Sequence, residues 1–259
     1  NGGMYFATNF PEELATEFFT PKNAVIAGSG TVNGTCVDVE GGVRINGSWQ
    51  YCSGSAYVTL FTVTIMRQDG TVCAAILPRE EVTILNDWNT IGLSQTSTNT
   101  IVLDNIFVPH HRLFNVFERK SFTEYAVFNL PFLIYAQAFF SSVAFGIFSR
   151  LLHEANMVAT RKHPENIALN EAITRGEDLL NDALKQSTVI VNELIAKRGV
   201  ITTEEEMVLQ QRYKDWVKQV RNHAHELHAQ MGMHGLFAQH TFTIFYLDLL
   251  AATQHKLLN

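Results

Sequence analysis

The chain has 259 residues, 46% hydrophobic and 17% charged, with a formal net charge of −6. Such a length and apolar share describe one large or two ordinary globular domains with a sizeable core, and exclude a disordered chain. The acidic balance leaves no basic footprint for nucleic acid. Three cysteines (Cys36, Cys52 and Cys73) are too few and too odd in number for a disulfide framework, which favours a reducing, cytoplasmic setting.

The opening "NGGMYFATNFPEEL" has neither the basic region nor the apolar run of a signal peptide. A short helix is expected over about Pro11 to Phe19, with Asn9 as its cap and Glu12 and Glu13 at the positive end of its dipole. From about 22 to 120 the sequence runs in short alternating stretches such as "GTCVDV", "AYVTLFTVTIM" and "NTIVLDNIFVP". Gly41-Gly42 and Asp69-Gly70 read as hairpin dipeptides between them. The pattern predicts an antiparallel β-barrel or sandwich domain. Within it, strict alternation across "GSWQYCSGS" puts Trp49, Tyr51 and Ser53 on one strand face, as core or as the wall of a flat-ligand site.

From about 121 to 259 the period becomes helical. Helices are expected at about 123–160, 165–198, 203–231 and 234–255, broken at His163-Pro164, Gly199 and Gly232, which predicts an antiparallel four-helix bundle. The overall class is therefore α+β and multidomain. Tyr125 to Ser149 holds 25 residues without a charge, enough to span a bilayer. Asn129, Pro131, Gln137 and Ser141-Ser142 interrupt it and no second span exists, so it reads as a buried helix and no membrane is assigned. Between Asn222 and His255 the only formal charges are Glu226 and Asp248, which implies burial on several sides and an oligomer.

Few local motifs carry chemistry. "GSGTVNG" at 28–34 has GxGxxxG spacing and leads into a strand, so it is not a dinucleotide fingerprint; turn glycines, or backbone approaching a ligand, explain it. His225 and His228 share a helical face at metal-like spacing, but no carboxylate set accompanies them and no metal is assigned. Phe122, Tyr125, Phe128, Phe132, Tyr135 and Phe139 recur at steps of three or four, a stripe that suits either core or the pocket of a flat ring. No GxSxG elbow, CxxC pair or P-loop occurs.

The order of pieces is more telling. "FPEELATEFFTPKNAVIAGSGTVNGTCVDVEGGVRINGSWQYCSGS" resembles the junction and middle β-domain of the acyl-CoA dehydrogenase superfamily. "DWNTIGLSQTSTNTIVLDNIFVPHHRLF" resembles that domain's last strands, and "FYLDLLAATQHKLL" the end of its C-terminal bundle. The resemblance spans essentially the whole chain and is strongest to the flavin-dependent monooxygenases of this fold, the oxygenase components of two-component aromatic hydroxylases.

That resemblance implies residues 1–21 as the end of an N-terminal helical region, 22–120 as the middle β-domain and 121–259 as the bundle. Members begin with a helical lid domain, so the chain reads as a fragment of such a protein. The implied cofactor is reduced FAD or FMN, used as a co-substrate with molecular oxygen and supplied by a separate flavin reductase. The implied assembly is a homotetramer. Ser53 and His255 would flank the flavin's reactive edge, where a C4a-hydroperoxide forms and needs exclusion of water. Flavin contacts are implied at Ala27, Gly28, Ser29, Tyr51, Cys52, Ser53, Gly54 and Thr98, and a pocket for a small aromatic or apolar substrate at Phe128, Phe132 and Tyr135.

Two alternatives stay open. An acyl-CoA dehydrogenase needs a carboxylate base after an Arg-Asp pair; here Leu247 replaces the Arg before Asp248, no acid follows, and His255 stands near the base position. Ser94-Gln95 also replace the usual Arg-Gly of the family's G-L-R-G-T-G-S. A non-catalytic homologue is the third reading.

Overall fold

A computed structural model describes residues 5–20, 23–118, 124–162 and 164–259. It divides the chain into two units, Asn1–Asn89 with Ser94–Phe128, and Thr90–Leu93 with Asn129–Asn259. The expected junctions near 21–22 and 120–121 fall outside the described residues. So do Phe122 of the expected stripe and His163 of the expected break.

The first unit opens with α1 (Glu12–Phe19), whose first turn carries Glu12 and Glu13. Asn9 is not its cap. Pro11 precedes the helix, and the buried Asn9 amide instead donates to the Asn115 carbonyl at 3.0 Å. Seven strands follow: β1 (Ile26–Val39), β2 (Gly42–Cys52), β3 (Leu60–Met66), β4 (Val72–Pro78), β5 (Thr83–Ile84), β6 (Asn99–Pro109) and β7 (Leu113–Phe114). They form one sheet in the order β5-β6-β2-β1-β3-β4-β7. Gly41 and Gly70 turn the two hairpins with φ of 78° and 81°, a region open to glycine at no steric cost. All pairings are antiparallel except β1 with β3, which run parallel. Alternation within single strands cannot reveal that exception, because it is a property of the connection.

Trp49 anchors this unit's core. It is 0% exposed, its indole N–H donates to the Thr64 carbonyl at 3.0 Å, and Val43, Ile45, Phe61, Val63 and Ile101 belong to the same cluster. Gly34 and Gly47 make room for its ring: a Cβ on Gly34 would lie 2.2 Å from Trp49 Cζ2, and one on Gly47 2.6 Å from Cη2.

The second unit holds α2 (Phe132–Lys162), α3 (Ile167–Ala196), α4 (Thr203–Gln230) and α5 (Thr241–Ala252). The first begins nine residues later than expected (132 against 123). Pro131 stands where it can precede a helix but cannot sit inside one, and a 3-10 turn fills Ala126–Asn129. The last begins at Thr241, not 234, because Gly232–Gly235 is a 3-10 turn and the His240 side chain caps the helix by accepting from Phe242 N. Asn166 caps α3, and Thr202 with Glu205 forms a capping box on α4. The core joins Ile134, Phe145, Phe148, Leu152, Trp216 and Phe242. By length and composition α2 could cross a membrane; here it packs Ile134, Phe145, Phe148 and Leu151 into this core.

Candidate functional site

The end of β2 departs from the alternation that its sequence predicts. Trp49 pairs with Ile101 and Cys52 with Asn99, so three steps on β2 match two on β6. That is a bulge, and Tyr51 absorbs it with φ at 64°. Trp49 and Tyr51 therefore do not share a face: the indole is buried and the phenol ring is 69% exposed. Gln50, Tyr51 and Ser53 are exposed, while Cys52 turns inward, donates to the Trp49 carbonyl at 3.6 Å and has its thiol pushed up to about 12 by burial. A left-handed non-glycine residue costs about 1–3 kcal/mol and is held only where its surroundings require it.

The turn after β2 is stitched to the segment entering β6. Gly54 N donates to Thr96 O at 2.8 Å and Ser55 N to Ser97 O at 3.1 Å. The Ser55 hydroxyl donates to Ser97 O at 2.6 Å, and the buried Asn99 amide donates to both Ser55 Oγ (3.0 Å) and Ser97 Oγ (2.9 Å). The Arg79 guanidinium donates to the Ser55 carbonyl. Asp87 receives both the N–H and hydroxyl of Thr100, which lower its pKa, the hydroxyl first.

On this base stands a directional chain of hydroxyls. Thr98 Oγ1 donates to Ser53 Oγ at 3.1 Å, and Thr96 Oγ1 lies 2.7 Å from Thr98 Oγ1. A threonine has one proton, so once Thr98 gives its own to Ser53, Thr96 must be the donor behind it. Ser53 then accepts from within the protein and keeps its own proton for an outside acceptor. Ser53 is exposed, whereas Thr98 behind it is buried.

Not all expected contacts gather here. Tyr51, Cys52, Ser53, Gly54 and Thr98 do. Ala27, Gly28 and Ser29 lie on the part of β1 that pairs with Phe61, Thr62 and Val63 of β3. Ala27 is a core residue, so its side chain is unavailable to a ligand, as is that of Cys52. Gly28 lies against Thr62, whose Oγ1 and carbonyl oxygen would be 2.2 and 2.4 Å from a Cβ there; strand packing explains this glycine.

In the helical unit His255 follows α5. Its Nδ1 accepts from Leu257 N at 3.2 Å, and its ring stacks on Phe140 of α2 with centroids 3.9 Å apart and planes at 24°. Burial of the ring lowers its pKa from the ordinary histidine value, although the residue as a whole keeps solvent contact. Gln137, buried on α2, donates to Leu257 O at 2.8 Å, and the Asn259 amide donates to His255 O at 3.2 Å. Of the aromatic stripe, Phe128 lies in the 3-10 turn of the first unit; Phe132 and Tyr135 lie on α2, the former exposed and the latter half-buried. The stripe is therefore not a continuous helical face.

His225 and His228 are held by protein. His225 Nδ1 lies 2.8 Å from the Tyr246 hydroxyl, and His228 Nε2 donates to Gly235 O at 3.0 Å while its ring stacks on Tyr246. Among the described residues no group of three or more His, Cys, Asp or Glu is placed to hold a metal. Asp248 accepts from Leu93 N at 2.6 Å. Sequence reading passed over Ser55, Ser97 and Asn99; the signal was the dense run of small polar residues in "SQTSTNT". Phe140 and Gln137 were hidden in an apolar helix.

No family model matches the chain. A pigment production hydroxylase of Rhodococcus sp. (strain ATCC 21145) is 29% identical over 157 residues, covering 56% of this chain and 41% of that protein. The chain thus spans about two-fifths of the length of that relative. Other matched relatives are named as the oxygenase components of an FADH2-dependent resorcinol hydroxylase and of a p-hydroxyphenylacetate 3-hydroxylase. XiaF from Streptomyces sp., solved in complex with FADH2 and glycerol, superposes with a TM-score of 0.87 at 20% identity, covering all of this chain and 71% of its own. An acyl-CoA dehydrogenase from Geobacillus kaustophilus gives 0.81 at 13% identity, covering 97% and 70%. The chain has the acyl-CoA dehydrogenase-like fold, and its sequence is similar to monooxygenases that use it.

Proposed function

We propose, from this kinship with flavin-dependent hydroxylases, that the chain carries flavin-binding and proton-handling parts of a monooxygenase oxygenase component. Its substrate is a small aromatic or similarly apolar molecule, its co-substrates are molecular oxygen and reduced FAD or FMN, and a separate reductase supplies the flavin. The working assembly is a cytoplasmic homotetramer. The flavin, when bound, supplies the oxygen chemistry.

The observation that carries this reading is the outward-facing Ser53 hydroxyl, donating from the end of the Thr96–Thr98 chain. An uncharged donor backed by two others fits the nitrogen and oxygen edge of an isoalloxazine ring. The exposed Tyr51 ring offers it a flat neighbour. Gly54 and Thr98 hold Ser53 in place, and any contribution of Ala27 or Cys52 is through backbone atoms. Phe132 and Tyr135 contribute apolar surface for the substrate, with Phe128 assigned the same role in its own unit. His255 supplies a polar ring nitrogen for a reacting oxygen or a phenol.

The dehydrogenase reading is weakened because no acidic residue stands between Asp248 and Asn259, where that chemistry places its carboxylate base, and His255 occupies that stretch instead. The fold itself does not separate the two chemistries.

Mixing the full-length protein and reduced flavin with oxygen and an aromatic substrate tests the proposal. Hydroxylated product is expected, and Ser53→Ala should lower its rate by about 10²-fold, the loss typical for one donor at a developing charge. His255→Ala should impair product formed per flavin oxidised more than it impairs flavin affinity. Reduction of bound FAD by an acyl-CoA, with no hydroxylation, would establish the dehydrogenase instead. Failure to bind either redox state of flavin would identify a non-catalytic homologue.

A further inference from the structure

We propose that Phe140 and the Leu257 amide are positioning groups that fix His255 as a neutral imidazole with its proton on Nε2, so that it acts as a hydrogen-bond donor and not as a base. The assignment of a role to His255 rests on the monooxygenase reading; the state of its ring does not.

The tautomer follows from one hydrogen bond. Leu257 N can only donate, so Nδ1 must present a lone pair, and a neutral ring must then carry its proton on Nε2. Among the described residues Nε2 has no protein partner, which leaves that N–H available to a ligand. Taking up a second proton requires Nδ1 to give up its bond to Leu257 N, at the cost of an unpaired turn amide.

The surroundings oppose that second proton as well. Phe140 covers one face of the ring at 3.9 Å and excludes water there. The geometry is held from both sides of the turn. Gln137 fixes the Leu257 carbonyl, Asn259 closes onto the carbonyls of Thr253 and His255, and Arg221 of α4 holds the Asn259 side chain at 3.1 Å. No carboxylate pairs with the ring among the described residues, and the charged group that holds this turn, Arg221 on the Asn259 side chain, is a cation. Nothing there stabilises an imidazolium. Burial lowers the pKa of the ring in the same direction.

A donor of fixed direction does a different job from a base. It can steady negative charge on a reacting oxygen at neutral pH, but cannot remove a phenolic proton through Nε2, which is already protonated. Hydroxylation would then not need a rising limb from a histidine losing its proton near neutrality.

Nitrogen-15 NMR of the histidine rings in the full-length protein, with His255 assigned by loss of its signals in His255→Gln, reads the state directly and needs no flavin. The neutral ring should show the Nε2–H pattern, with a titration midpoint below the ordinary histidine value of about 6.5. In Phe140→Leu, which keeps an apolar side chain but removes the flat cover, the midpoint should rise towards that value while the tautomer stays. An Nδ1–H ring in the unaltered protein, or a midpoint at or above the ordinary value, overturns the proposal even if Phe140→Leu does not fold. A ring in the expected state in a protein that binds no flavin keeps the positioning and discards the monooxygenase reading; catalysis with an Nδ1–H ring does the reverse.

Discussion

Replacing Trp49 by Ala is expected to destabilise the β-unit by about 3–5 kcal/mol, the range for removing a large aromatic side chain from a packed core. The indole is fully buried, fills the space left by Gly34 and Gly47, and satisfies the Thr64 carbonyl. Truncation therefore leaves both a cavity and an orphaned acceptor, and the facing backbone has no side chain at either glycine with which to fill it. Tyr51→Ala, two residues along the same strand, should change stability by no more than about 0.5 kcal/mol, because its ring is already in water. Denaturant midpoints followed by circular dichroism compare the two variants. Similar losses for both would mean that the bulge does not separate the faces as described.

Gly92→Ala is the second substitution with a large expected effect. Its Cβ would stand 2.0 Å from the Leu247 carbonyl oxygen, and that atom belongs to the backbone of α5. A side chain could rotate away; a helix must shift as a whole. The next residue, Leu93, already has φ at 53° and delivers its N–H to Asp248. Overpacking of this kind costs about 1–3 kcal/mol. Amide hydrogen exchange should quicken at Leu93 and in the second half of α5, while the β6 amides keep their protection. Unchanged exchange at Leu93 would show that the tetrapeptide is not seated as described.

Much of the architecture was legible because it depends on local pattern. The turn glycines, the alternating runs and the helical period place most of the strands and the five helices from nearest neighbours alone. What escaped depends on partners distant in sequence. Asn9 has a cap residue's chemistry, but its side-chain oxygen, the atom that would cap, accepts from the Thr8 hydroxyl, and its amide goes to Asn115. Tyr51 and Trp49 alternate on paper, yet a mismatch of one residue against β6 turns them apart. The aromatic stripe keeps its spacing across Pro131, where the helix that would give the spacing meaning does not exist.

The candidate site was legible in the same divided way. Ser53 and His255 came from the order of motifs, which marks where a family keeps its polar groups. Thr98 was marked by the same order, as a flavin contact; its part behind the serine, and the parts of Thr96, Phe140 and Leu257, came from geometry. A hydroxyl is written identically whether it donates outward or inward. Only its neighbour's single proton decides.

The parallel pairing of β1 with β3 also bears on how the sheet is assembled. The β1–β2 hairpin closes over the two residues between Val39 and Gly42, whereas the parallel register joins Ile26 to Leu60 across a far longer span. Chain closure costs more entropy for the longer loop, so the hairpin should gain protection first and β3 should join later. The connection between β2 and β3 is the stretch 53–59, which contains Ser53. Its hydroxyl takes its direction from Thr98 beside β6, so it also waits for the β2–β6 pairing, which is more distant in sequence still; pulse-labelled exchange should show the hairpin amides protected before those of Leu60 and Phe61. A protein stalled before that step would have much of its secondary structure and no oriented serine.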